Sequence, residues 1–135
     1  MKISSITARE TWPIRHQVLW PDQDFDFVKL PEDAEGRHFG LFLGEKLCTV
    51  ISLFENKGKV QFRKFATLAE EQGKGYGSHL LQYIIDHELA PGTTVFWCNA
   101  RVSQQGFYSR FGLLPTAQTY VKAGIDFVVM EMGVG

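Results

Sequence analysis

Gln72-Gly73-Lys74-Gly75-Tyr76-Gly77-Ser78 is the stretch from which the rest of the chain is read. Three glycines alternate at 73, 75 and 77, and an apolar periodic run follows at once. Glycine tolerates positive φ and lets a ligand approach where a Cβ would block it. The first amides of a helix lack intrahelical partners and sit at the positive end of the helix dipole. A glycine-rich loop feeding such a start is an anion site suited to phosphate. Two nucleotide motifs do not fit. A P-loop needs Gly-Lys followed by Ser or Thr, and Lys74 is followed by Gly75. A dinucleotide fingerprint needs G-x-G-x-x-G, and the spacing here is G-x-G-x-G. Taken alone, the cluster is equally readable as a turn without a ligand.

Downstream, Ser78 to Leu89 carries Leu80, Leu81, Ile84, Ile85 and Leu89 at helical spacing, with His79, Gln82 and Asp86 opposite. Thr94 to Cys98 is an apolar strand reached after a helix, which suits parallel pairing with the strand before it. Val102 to Phe111 reads as a short helix closed by Gly112. Leu113 to Val121 and Asp126 to Met132 form a hairpin around Lys122-Ala123-Gly124-Ile125.

Upstream, Lys59 to Thr67 alternates, with Val60 and Phe62 on one face and Gln61 and Arg63 on the other. His38 to Leu43 and Lys46 to Phe54 flank the tight turn at Gly44-Glu45, and Asn56-Lys57-Gly58 makes the next turn. A first strand, Lys2 to Ile6, precedes Thr7-Ala8-Arg9-Glu10, which has the form of a capping box. Pro13 belongs better in a first turn, so Thr11 is a rival cap. Either helix carries Val18 and Leu19 and stops before Pro21. The order is β-α-β-β-β-α-β-α-β-β, an α+β architecture with a mixed sheet.

The chain has 135 residues, 44% hydrophobic and 21% charged, which describes one globular domain spanning 1–135. Net charge is -1, so no global basic field draws it to nucleic acid or anionic lipid. No apolar stretch is long enough to span a bilayer, and Met1 to Ser5 lack the apolar core of a signal peptide. Cys48 and Cys98 sit in apolar runs, as buried reduced thiols do, so no metal is called for and the cytoplasm is the default location. Pro21 to Arg37 holds Asp22, Asp24, Asp26, Glu32, Asp33 and Glu35. It is most simply a solvated acidic loop; the other reading is a mobile segment beside a site for a cationic substrate. Trp12, Trp20 and Trp97 read as core or groove walls, because no basic stripe accompanies them.

Gln72-x-x-Gly75-x-Gly77 matches the Q/R-x-x-G-x-G/A signature of the GCN5-related N-acetyltransferase (GNAT) superfamily. Phe62 to Thr67 resembles the strand leading into that motif. Asn99-Ala100-Arg101 and Gly106 to Gly112 resemble the family's second half. Arg15 to Pro21 and Gly124-Ile125 are similar to small bacterial ElaA-like and YjcF-like members. The resemblance covers nearly the whole chain, with four motifs in order.

It implies a GNAT-like mixed, mainly antiparallel sheet flanked by helices, and an acetyl-CoA-dependent N-acetyltransferase acting on a small-molecule or peptide amine. The backbone of Phe65, Ala66 and Thr67 should lie along the pantetheine arm. The amides of Gln72, Gly73, Lys74, Gly75, Tyr76, Gly77 and Ser78 should hold the pyrophosphate, and Asn99 should face the pantetheine. Tyr108 falls where many members keep a tyrosine near the thioester sulfur. A backbone amide near Phe65 or Ala66 should serve the oxyanion. Strand 59–67 has no carboxylate, although some members place a glutamate base there. His38, Glu55 and Asp126 are base candidates, each more simply an ordinary surface or packed residue. Arg110 and the Lys74 side chain are further candidates for cofactor phosphates. A homodimer fits the commonness of small symmetric assemblies.

Overall fold

The computed structural model describes every residue from Met1 to Gly135. Seven strands are joined in the order β1-β2-β3-β4-β5-β7-β6. They are β1 (Lys2–Ile6), β2 (Arg37–Leu43), β3 (Lys46–Asn56), β4 (Lys59–Thr67), β5 (Val95–Arg101), β6 (Leu114–Lys122) and β7 (Ile125–Gly133). Three α-helices interrupt them: α1 (Ala8–Ile14), α2 (Tyr76–His87) and α3 (Gln105–Ser109). The β-α-β-β-β-α-β-α-β-β order inferred from the sequence is the observed one. The chain forms two compact units, Met1–Phe54 with Arg63–Leu89, and Glu55–Phe62 with Ala90–Gly135.

In the first unit, β1 and β3 flank β2 in antiparallel register, with Ser4 opposite Gly40 and Phe39 opposite Ile51. Thr7 wins over Thr11 as the cap of α1. Its hydroxyl accepts from the Glu10 amide at 3.3 Å, and the Glu10 carboxylate accepts from the Thr7 amide at 2.9 Å. Thr11 lies inside the helix, fully buried, and donates to the Ala8 carbonyl. Pro13 is also inside, where it removes an amide donor, and the chain widens into a π-helical turn at Arg15–Leu19. Ile14 closes on Val50 and Ala66, with Ile6, Val18, Leu19, Leu47 and Leu68 around them. On α2, Leu80, Leu81 and Ile84 are fully buried, and the helix packs against β2.

In the second unit, β5 and β7 run antiparallel from Val95–Gly133 to Arg101–Phe127, and β6 pairs with β7. Lys59–Gln61 pair in parallel with Val95–Trp97, as the helix between those strands requires. Phe62 stacks on Phe96 at 4.8 Å between ring centroids. Ala123 and Gly124 both have positive φ, which makes the β6–β7 turn the mirror-image type that matches strand twist.

Several boundaries differ from the sequence expectation. Helix α2 starts two residues early, at Tyr76, because Gly75 takes the left-handed conformation at its N-cap. Val102–Phe111 is not one helix. A 3-10 turn at Val102–Gln104 leads into the five residues of α3.

Candidate functional site

The glycine-rich loop has tied ends and an open middle. The Gln72 side-chain amide donates to the Thr67 carbonyl at 2.9 Å, which fastens the loop to the end of β4. Thr67 is itself held by Thr49, with 3.0 Å between the hydroxyls. Gly73 and Gly75 have φ of +79° and +85°, and a Cβ at either would meet nothing within 4 Å. The α2 start that follows has no side-chain cap, so its first amides keep their donors for a ligand. At Gly77 the geometry is different: a Cβ there would stand 3.3 Å from the Phe65 ring and 3.5 Å from the Thr67 hydroxyl. Gly77 therefore permits the close approach of α2 to β4.

Glu71, which the motif does not mark, is 7% exposed. Its carboxylate takes Lys74 at 2.7 Å and Lys46 at 3.1 Å. The hydrogen bonds from Lys74 and Lys46 hold Glu71 below the usual carboxylate range. In this arrangement the Lys74 side chain pairs with protein, and the loop's contribution to anion binding is its backbone.

β4 is distorted where it approaches this loop. Lys64 has φ of +55°, a left-handed value for a strand residue that is not glycine. The distortion sits one residue before Phe65, where the resemblance asks for an amide turned out of the ladder. The Lys64 ammonium lies 5.8 Å from the centroid of Trp20, and Arg63 pairs with Glu32 at 2.6 Å.

The acidic loop between α1 and β2 is anchored by a buried charge. Arg15 is fully buried and donates to Asp33 through both terminal nitrogens, at 2.8 and 2.9 Å. Its other bonds reach the Val28 carbonyl and the Ser52 hydroxyl, both at 2.9 Å. Asp33 also accepts from the Trp12 indole and the Leu30 amide, each at 3.0 Å. Burial would raise the Asp33 carboxyl, but the bonds from Arg15, Leu30 and Trp12 outweigh it and hold it at about 2. His38 belongs to the same cluster. Its two ring nitrogens are engaged by Ser52, at 2.7 Å, and by the Asp33 carbonyl, at 2.9 Å. His38 is therefore a packing residue, and the base role is not one this geometry offers it.

In the second unit, Tyr108 lies on α3 against Phe62 and Phe107, with ring centroids 5.6 and 5.2 Å away. Burial pushes its phenol well above the ordinary tyrosine range; Cys98 adds to the shift and Arg101 opposes it. Burial also pushes the Cys98 thiol up to about 12. Asn99 is exposed on β5, between the buried Cys98 and Ala100. Arg110 is exposed, over the Phe107 ring at 5.1 Å. Glu55 and Asp126 are exposed.

Phe65, Ala66, Thr67 and Gln72 to Ser78 thus come together in the first unit, while Asn99 and Tyr108 belong to the second. Through the resemblance, sequence reasoning expected an out-turned amide near Phe65 or Ala66, beside the Lys64 distortion; it missed Glu71 and the Arg15–Asp33 pair. Only the last had a signal, an arginine inside an apolar helical stretch.

Comparison with known proteins follows the same lines. The model for the acetyltransferase (GNAT) domain matches residues 29–134. An N-acetyltransferase of Bacillus subtilis strain 168, YitI, itself uncharacterised, is 30% identical over 141 residues, covering 96% of this chain and 94% of that protein. A Lactobacillus plantarum crystal structure superposes with a TM-score of 0.84 at 19% identity, over 98% of this chain and 99% of that one. A Bacillus subtilis acetyltransferase solved in complex with CoA gives a TM-score of 0.76 at 18% identity, over 98% of both chains. The fold, the loop and these matches agree: the chain belongs to the GCN5-related N-acetyltransferase family.

Proposed function

We propose that the chain transfers the acetyl group of acetyl-CoA to an amine of a small molecule or peptide, by direct attack on the thioester. The observation that carries this is the loop. Left-handed Gly73 and Gly75 turn the chain into an uncapped helix start, tied by Gln72 to the end of β4. Amides from Gly73 to Ser78 hold the pyrophosphate, the Gln72 amide being given to the Ala69 carbonyl at 3.3 Å, and the backbone of Phe65, Ala66 and Thr67 takes the pantetheine, with Asn99 as a further contact. The CoA bound to the Bacillus subtilis structure of the same fold supports the use of a CoA thioester.

The neutral amine nitrogen bonds to the thioester carbon, and the carbonyl electron pair moves onto oxygen. A backbone amide at the β4 distortion, near Phe65 or Ala66, donates to that oxyanion; one such donor is worth ~3 kcal/mol elsewhere. As the C–S bond breaks, Tyr108 gives its proton to the departing thiolate, and the nitrogen's extra proton leaves to water. The raised phenol keeps Tyr108 protonated across the working pH range. Donation to a thiolate whose conjugate acid has pKa ~8.5 is then uphill, and the tyrosinate left behind regains its proton from water. Cys48 and Cys98 are free and buried, which fits a reducing, cytoplasmic setting.

Acetyl-CoA at ~100 times its dissociation constant should stabilise the protein by ~2.7 kcal/mol. Thiol release should then appear with members of an amine panel. No stabilisation at that concentration sinks the proposal. Stabilisation without thiol release from any amine favours a module that binds acyl-CoA without turning it over, a reading helped by the full engagement of His38. Tyr108→Phe should lower kcat about 100-fold with the KM for acetyl-CoA unchanged. Full turnover at every pH would remove the acid role.

A further inference from the structure

Glu71 stands at the foot of the glycine-rich loop, one residue before Gln72. Its amide donates to the Leu68 carbonyl at 2.9 Å, and the Leu68 amide donates to the Cys48 carbonyl of β3, also at 2.9 Å. The acid is thus set on a fixed base. From there Oε1 takes the Lys74 ammonium at 2.7 Å, and Oε2 takes Lys46, the first residue of β3, at 3.1 Å. The Cys48 thiol lies 4.0 Å from the same Oε2.

Lys74 lies between Gly73 and Gly75, both with left-handed backbone. Glycines leave a chain the most conformational freedom to lose on ordering. The Lys74–Glu71 bond fastens the loop at that point, while Gln72 fastens its beginning. Charge tells against a simpler role for this lysine, that of a cation waiting for phosphate. Lys46 also meets Glu70 at 3.4 Å, so two lysines face two glutamates and the group is neutral. A carboxylate beside an anion loop repels the ligand, so its place there is accounted for by what it holds.

We propose that Glu71 is a positioning residue for the cofactor. By holding Lys74 it keeps Gly73 to Gly75 in the conformation whose amides receive the pyrophosphate, so that less ordering remains to be done on binding. Lys46 holds the same carboxylate from the β3 side. The inference rests on the acetyltransferase reading, which supplies the pyrophosphate.

A tie and a waiting cation predict opposite signs. Glu71→Gln removes a negative charge, which by itself would tighten the binding of an anion. If Glu71 positions the loop, calorimetric titration with CoA should instead show about fivefold weaker binding. Lys74→Met should lose about as much, and the double variant no more than either, because each removes the same bond. Lys74→Arg keeps a donor for the carboxylate and should retain most of the affinity. Ligand-free urea midpoints establish that each variant is folded. Should Glu71→Gln not fold, Glu71→Asp withdraws the carboxylate from Lys74 at constant charge and should weaken CoA likewise. Unchanged or tighter CoA binding by the folded Glu71 variant overturns the proposal. Additive losses in the double variant overturn it too, because they put Lys74 on the phosphate. An unmodified protein that does not bind CoA takes down the acetyltransferase reading, and this proposal with it.

Discussion

Two loops of the first unit, Gln72–Ser78 and the segment from Pro21 to Arg37, are both polar and both rich in residues that favour turns. They treat their polar groups in opposite ways. The first is tied through Gln72 and Lys74, and a Cβ at its left-handed Gly73 and Gly75 would meet only open space. The second is tied at its centre. Asp33 spends its carboxylate on Arg15, Trp12 and the Leu30 amide. A polar loop is therefore not a functional class. What separates a ligand loop from a structural one is whether its donors and acceptors are already satisfied inside the chain.

Removing the anchor should break the second loop most severely. Asp33→Ala leaves the fully buried Arg15 without its carboxylate, and Arg15 already has an Nε with no hydrogen-bond partner. Breaking a buried pair in this way costs ~3–5 kcal/mol, read as a lower urea midpoint at unchanged m-value. Replacing both partners together, with Arg15→Met and Asp33→Leu, should cost less than Asp33→Ala alone, because no orphan charge is left. If the single variant unfolds like the parent, the anchor is not what holds this loop.

The same carboxylate should appear in the acid limb of stability. Its pKa in the fold lies below the ordinary 3.8, at about 2. A depressed acid stabilises fully above its unfolded pKa and loses that contribution as pH falls through the folded value. The contribution is ~2–3 kcal/mol, present above pH ~4 and disappearing toward pH ~2. Asp33→Asn should flatten that part of the curve. An unchanged slope between those pH values would assign the acid transition to other carboxylates.

The contrast explains what was legible in the sequence. The glycine-rich loop could be read because its chemistry is local: Gly73 and Gly75 need positive φ, and the helix start follows within the same few residues. The strand and helix order followed from periodicity for the same reason. Asp33 could not be placed, because its partner Arg15 lies 18 residues away and one acid in a run of six looks like its neighbours. Lys64 was hidden differently. Lys59 to Thr67 alternates as a regular strand should, and nothing in a lysine announces a left-handed backbone. Tyr108 was placed by motif position, while the rise in its pKa depends on burial, which spacing does not report.

A smaller effect probes the open middle of the first loop. Gly75→Ala meets no atom within 4 Å, yet it must adopt φ of +85°. That strain costs ~1 kcal/mol of stability. Its effect on acetyl-CoA should be larger, about tenfold weaker binding or more, because the added methyl enters the space left for phosphate. A stability loss without an affinity loss would mean that the ligand does not use this part of the loop.

The smallest effect concerns the tie. Gln72→Ala deletes an exposed side-chain bond of 2.9 Å to the Thr67 carbonyl, and exposed bonds of this kind contribute ~0.5 kcal/mol. Global stability should barely move, since water replaces the amide at Thr67. Acetyl-CoA binding should weaken about threefold, because the loop must then be ordered at the expense of binding energy. Gly77→Ala is the control on the same helix start. Its Cβ would press the Phe65 ring at 3.3 Å, a contact a flexible ring edge can relieve by a few tenths of an ångström. Alanine's better helix propensity, worth up to ~1 kcal/mol, offsets that pressure. If Gln72→Ala weakens the cofactor while Gly77→Ala at equal stability does not, the tie acts by pre-ordering the loop. Equal losses in both would locate the effect in the fit of α2 against β4 instead.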